Sequence, residues 1–155
     1  LIPVVILNAL NKKDIPIYGD GSHIRDWIHV DDHADALLLC IRDGKNGERY
    51  NIGANGEIDN ISLVRMICEI LDQKLNPDNS FSELIKFVSD RPGHDRHYGI
   101  DASKIISELK WKPKLSLREG LDRTVQWYLS NTDWLNSLSD REGVGKRLGK
   151  GIRKI

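Results

Sequence analysis

The chain has 155 residues, enough for one domain with a hydrophobic core, and its 23 Lys and Arg balance its 23 Asp and Glu to a formal net charge of +0. That balance excludes the global positive field that draws proteins to nucleic acid or anionic membrane, so neither is expected as a partner. No apolar run approaches the roughly 20 residues needed to span a bilayer and no charged-apolar-small leader opens the chain, which predicts a cytoplasmic protein.

In chain order, Leu1 to Leu10 is an apolar segment with Val5, Ile6 and Leu10 at helical spacing, stopped by Asn11-Lys12-Lys13. A chain that opens on Leu1 inside a helical pattern reads as the back part of a longer protein. Ile15 to Tyr18 predicts a strand, and Pro16 assigns it to an edge. Gly19 to Ser22 is a turn, and Arg25 to Val30 reads as a strand rich in β-formers. Asp31 or Asp32 then caps a helix whose buried face is expected to be Ala34, Leu37, Leu38 and Ile41. Tyr50 to Gly53 predicts a second buried strand. Ser62 is expected to cap the next helix, with Val64, Ile67, Cys68 and Leu71 inward. Cys40 and Cys68 fall at apolar phases and read as reduced core thiols. An apolar run (Ile85, Phe87, Val88) leads into Asp90-Arg91-Pro92-Gly93-His94. Asp101 caps a short helix, and Ser116 with Glu119 has capping-box spacing ahead of a face of Leu117, Leu121, Thr124 and Tyr128. Beyond Asn131 the pattern decays, and the last fifteen residues are basic and glycine-punctuated. Alternating helices and short strands make this an α/β chain, with too few strands for a complete doubly wound sheet.

The stretch Asp90 to Tyr98 sets two arginines, two histidines and two aspartates around a Pro-Gly corner. Proline presets φ at the first corner position and glycine accepts a positive φ at the second, so the turn is rigid. Arg25 and Arg91 each flank a glycine-bearing turn, and a guanidinium holds phosphate oxygens through paired N–H donors. The competing arrangement is an ordinary ion pair with Asp26 or Asp90, the commoner outcome from composition alone. His29/His33 and His94/His97 lack a third ligand at metal spacing, so no metal is expected. Gly19-Asp20-Gly21 lacks the third glycine of a dinucleotide fingerprint, and no Gly-x-Ser-x-Gly elbow occurs.

Three blocks go beyond pattern: YGDGSHIRDWIHVDDHADAL, YNIGANGEIDNISLV and FVSDRPGHDRHYGIDASKI followed by LKWKP. Together they resemble the C-terminal part of the dTDP-glucose 4,6-dehydratases, in the extended short-chain dehydrogenase/reductase superfamily. The first block is shared with other nucleotide-sugar epimerases and decarboxylases, whereas DRPGHDRHY is more specific. The likeness runs from Leu1 to about Trp134. It implies the C-terminal part of an NAD(P)-binding Rossmann-type fold: a substrate-binding domain plus the last strands and helices of the cofactor domain. Residues 1–135 would be the nucleotide-sugar-binding region and 136–155 a basic flexible tail.

The resemblance also implies a site. Leu1, Pro16, Ile17 and Tyr18 would lie around the nucleotide base, and Arg25 and Arg91 on the diphosphate. Asn60 and the turn Asp90, Arg91, Pro92, Gly93 and His94 would supply the other substrate contacts. The implied ligand is a dTDP-sugar, the cofactor NAD, and the full-length assembly a homodimer. In the implied reaction a hydride leaves sugar C4 for NAD, water is eliminated across C5–C6, and the hydride returns to C6. The family's glycine-rich NAD unit and its Tyr-x-x-x-Lys pair do not occur in this sequence, so the isolated chain is expected to be inactive. The alternatives are a fragment of another NDP-sugar epimerase or decarboxylase, and a vestigial binding protein without catalysis.

Overall fold

The structure is a computed structural model that describes residues 1–139. Helix α1 (Ile2–Leu10) carries a proline in its first turn, where no intrahelical N–H is lost, and buries Val5, Ile6 and Ala9. Strand β1 (Ile15–Tyr18) alternates, with Ile15 and Ile17 in the core and Pro16 and Tyr18 half-buried on the other face. Among the described residues it pairs only with β4 (Ile85–Val88), in parallel, so its proline is tolerated at an edge. The second sheet orders β3 (Glu57–Asp59), β2 (Ile24–Asp26) and β5 (His97–Tyr98), with β2 antiparallel to β3 and parallel to β5.

Helix α3 (Asn60–Leu75) is the centre of the fold. It buries Leu63, Val64, Ile67, Cys68, Ile70 and Leu71 against α1, β1 and helix α5 (Leu117–Ser130). Each fully buried aliphatic side chain of this kind contributes about 1.5–3 kcal/mol. The Cys68 thiol, pushed up to about 12 by burial, is inert in that core. A smaller cluster joins Ala36 of α2 (Val30–Asp43) to Ala102, Ile105 and Trp111 around α4 (Ser103–Leu109). No helix among the described residues is long and apolar enough to cross a membrane.

Several sequence expectations need correction. The strand expected over 25–30 is only Ile24–Asp26, because the chain turns into α2 at Val30. The cap of α2 is neither aspartate but His29, whose Nδ1 accepts the Asp31 N–H at 3.3 Å. Asp32 is instead buried and receives the Lys114 and Leu115 N–H groups at 3.0 and 3.1 Å. The cap of α3 is Asp59, accepting the Ser62 N–H at 2.8 Å, rather than Ser62. Residues 50–53 form no strand. The face expected to be buried on α2 is exposed, Leu38 at 65% and Ile41 at 82%, and the helix packs through Asp32 and Ala36 instead. Residues 136–139 complete helix α6 (Thr132–Ser139), and the rest of the expected tail lies outside the described residues.

Candidate functional site

Because β1 and β4 are parallel, their carboxyl ends open on the same edge, and the Gly19 N–H bridges to Val88 O at 2.9 Å just beyond them. Loops leaving that edge of an α/β sheet are where such folds take ligands. The loop after β1 turns through Gly21, whose φ of +78° suits glycine and whose missing Cβ would meet Ile61 at 2.8 Å. The loop after β4 is the Asp90–His94 turn, with Gly93 at φ +69° as its Pro-Gly sequence requires.

The Asp90 carboxylate ties the two loops together. Its Oδ1 accepts the Arg91 N–H at 2.7 Å and faces His94 Nδ1 at 2.8 Å, while Oδ2 faces His23 Nε2 at 3.1 Å. The hydrogen bond to His94, reinforced by the Arg91 N–H, holds the Asp90 carboxyl below the ordinary carboxylate range. The His23 and His94 rings stack with centroids 3.7 Å apart and planes 15° from parallel, and Tyr18 meets His94 edge-on at 6.2 Å. Asn60 joins through the main chain: its N–H donates to His23 O at 2.9 Å, and its buried Oδ1 has no hydrogen-bond partner among the described residues.

A ligand atom from each of His23, Asp90 and His94 lies within 4.8 Å of the others, close enough to suggest a cation. The stacking argues otherwise. In near-parallel rings the in-plane lone pairs run side by side and do not converge on one ion, and each facing nitrogen already has its own carboxylate oxygen. The cluster is a hydrogen-bonded clamp. His97 turns to Glu57 at 2.8 Å, away from His94.

Arg25 and Arg91 avoid the ion pairs that composition favoured. Asp26 accepts the Ala54 and Gly56 N–H groups at 3.2 and 2.8 Å, and Asp90 is occupied by the histidines. Arg25 donates to the carbonyls of Ile24 (2.6 Å) and Asp95 (2.8 Å) and lies 4.4 Å above the Tyr98 ring. The exposed Arg91 guanidinium makes no hydrogen bond or ion pair among the described residues. Tyr98 donates to the Asp95 carboxylate, which raises its hydroxyl above the ordinary phenol value, while the nearby charges of both Arg25 and Arg91 pull the other way. Both cations therefore reach the same neighbourhood.

Of the other expected residues, Pro92 and Gly93 form the turn itself and Pro16 lies beside Tyr18 on the strand. Ile17 is corrected in one respect: its side chain is in the core, 1% exposed, because β1 alternates, so only its main chain can face a ligand. Leu1, at the N-cap of α1, has no hydrogen bond or ring contact to the group among the described residues. Sequence reasoning missed His23 and Tyr98. His23 sits in a turn with no periodicity to single it out, and Tyr98 lies on a strand only two residues long. A cavity of about 300 Å³ lined by Trp27, His29, Asn55, Leu117 and Thr124 contains none of the expected residues.

A family model described as GDP-mannose 4,6 dehydratase matches residues 1–124. The chain is 51% identical over 150 residues to a "Probable dTDP-glucose 4,6-dehydratase" of Sinorhizobium fredii, covering 96% of this chain and 43% of that one. It is 52% identical over 138 residues to dTDP-glucose 4,6-dehydratase 1 of Escherichia coli K12, covering 89% of this chain and 38% of the other. Its fold matches a crystal structure of dTDP-glucose 4,6-dehydratase from Bacillus anthracis in complex with NAD, with TM-score 0.79, 42% identity, and coverage of 89% of this chain and 42% of that one. The chain thus spans about two fifths of the length of the curated relatives it matches.

Proposed function

The chain belongs to the GDP-mannose 4,6 dehydratase family, and from that premise we propose that it forms the nucleotide-sugar-binding part of an NAD-dependent dTDP-glucose 4,6-dehydratase of the cytoplasm. The observation that carries the reading is the pair of cations around Tyr98, one braced on backbone carbonyls and one with its fork free. Two guanidinium groups on separate rigid loops neutralise a diphosphate and fix its register through bidentate bonds. Tyr18 supplies a ring for the base, with Pro16, Leu1 and the main chain of Ile17 on its flank. The Asn60 side-chain amide and the Asp90–His94 turn complete the polar wall.

The residues present do not fit NAD. None of the three strand-to-helix junctions among the described residues, β2 to α2, β3 to α3 or β5 to α4, carries the glycine-rich turn that lets a backbone approach a pyrophosphate. This chain's share of the reaction is accordingly to bind and orient the sugar nucleotide, and hydride transfer is assigned to other parts of the enzyme.

Calorimetric titration with dTDP, UDP and GDP tests the proposal, with dTDP expected to bind most tightly. Incubation of the chain with dTDP-glucose and NAD is expected to give no 4-keto-6-deoxy sugar. A clear preference for UDP, or turnover by the chain alone, would sink the reading.

A further inference from the structure

Residues 90–94 carry the polar wall, yet side chains rather than a backbone ladder hold them, since β4 ends at Val88 and β5 starts at His97. Among the described residues their side-chain hydrogen-bond partner from outside the turn is His23. Its ring is buried, 6% exposed, and its main chain is pinned on both sides. The carbonyl receives Asn60 N–H at 2.9 Å, and the next residue, Ile24, pairs across β2 with Asp59 and His97 while donating to Arg96 O at 2.8 Å. A ring so placed cannot follow the turn; the turn must follow the ring. Nε2 faces Asp90 Oδ2, which sets the carboxylate that in turn holds the Arg91 N–H and His94, and the face of the imidazole sets the plane of His94 beneath Tyr18.

We propose that His23 is the positioning residue of the nucleotide-sugar site, orienting Asp90, His94 and, through His94, Tyr18, while its carbonyl sets Asn60. The role rests on the binding function proposed above, but the geometry it predicts can be read without ligand. His23 touches no substrate in this scheme. It transmits the register of β2 to the loop that does.

Three variants separate its two contacts. His23→Gln keeps an N–H donor for Asp90 without an aromatic face, His23→Phe keeps the face without the donor, and His23→Ala keeps neither. In dTDP titrations His23→Gln is expected within about threefold of the parent chain, and His23→Phe and His23→Ala weaker by about tenfold or more, because each leaves the Asp90 oxygen without its partner. Hydrogen exchange at the Arg91 amide, whose N–H Asp90 Oδ1 accepts at 2.7 Å, is the second readout, expected to quicken in His23→Phe and His23→Ala and to return in His23→Gln, while the α3 amides stay protected. A general loss of packing would not be rescued by glutamine, and should His23→Ala fail to fold, the Gln and Phe pair still decides. Equal dTDP affinity and equal exchange at the turn in His23→Phe and the parent would overturn the proposal. If the parent chain does not bind dTDP at all, the function proposed above fails, and the exchange pattern alone then supports or refutes the positioning role.

Discussion

Arg25 and Arg91 carry the same charge in different circumstances, and substitution should show it. Arg91 makes no side-chain bond among the described residues, so Arg91→Ala is expected to weaken dTDP binding by at least about tenfold while stability stays within roughly 0.5 kcal/mol, as at most surface positions. Arg25 also braces the Asp95 carbonyl and covers Tyr98. Arg25→Ala is therefore expected to cost affinity and in addition about 1 kcal/mol of stability. Titration paired with thermal melts checks both, and equal stability losses in the two variants would contradict the distinction. The glycine turns beside them marked these two residues as candidates for holding a phosphate, and the resemblance rather than composition favoured that role over an ion pair. What they avoid was less so, because Asp26 is engaged by residues 28 and 30 positions away, and Asp90 by His23, 67 positions away, as well as by its neighbours Arg91 and His94. Nothing local in a sequence records the distant partners among them.

Helix α5 starts as the sequence describes, though its buried residues are Gly120, Leu121 and Val125, with Leu117, Thr124 and Tyr128 of the expected face only partly covered. Ser116 and Glu119 form the capping box their spacing predicts, with the Ser116 N–H and hydroxyl both donating to Glu119 Oε2 at 2.8 and 2.6 Å. Ser116→Ala is expected to cost about 1 kcal/mol in thermal or urea unfolding. The same bonds, the hydroxyl first, hold the Glu119 carboxyl below its ordinary value of 4.5. A carboxyl depressed in the folded state stabilises above its unfolded value, and that stabilisation is lost as pH falls through the folded one. Melts of Glu119→Gln are therefore expected to be less acid-sensitive below about pH 4.5 than those of the parent. An identical acid dependence would remove Glu119 from the account. Where the sequence misled, the reasons are physical. Asp32 looks like a cap but receives two N–H groups from residues 114 and 115, so His29 takes the cap. Strands β3 and β5, three and two residues long, are too short to show an alternation.

Across the whole molecule, the periodicity of α2 was legible but its burial was not. Val30, Leu37, Leu38 and Ile41 form an apolar face that stands largely exposed among the described residues, because the helix is held by Asp32 and Ala36. A contiguous exposed patch of this sort drives association. The double variant Leu38→Glu, Ile41→Lys is expected to reduce self-association in sedimentation velocity without lowering the melting temperature. A lowered melting temperature would mean that the face is already covered. The parallel seam of β1 and β4 sets a further condition on the molecule. It joins residues 15–18 to residues 85–88, and the two loops it delivers to the site lie in sequence on either side of the whole core-forming helix α3. No single stretch of the unfolded chain brings both loops together, so a sugar nucleotide bound as proposed above would recognise only the closed state. A ligand that binds as proposed would then act on closure of the seam by mass action, raising stability by RT ln(1 + [L]/Kd), so that above Kd each tenfold increase in free ligand adds about 1.4 kcal/mol.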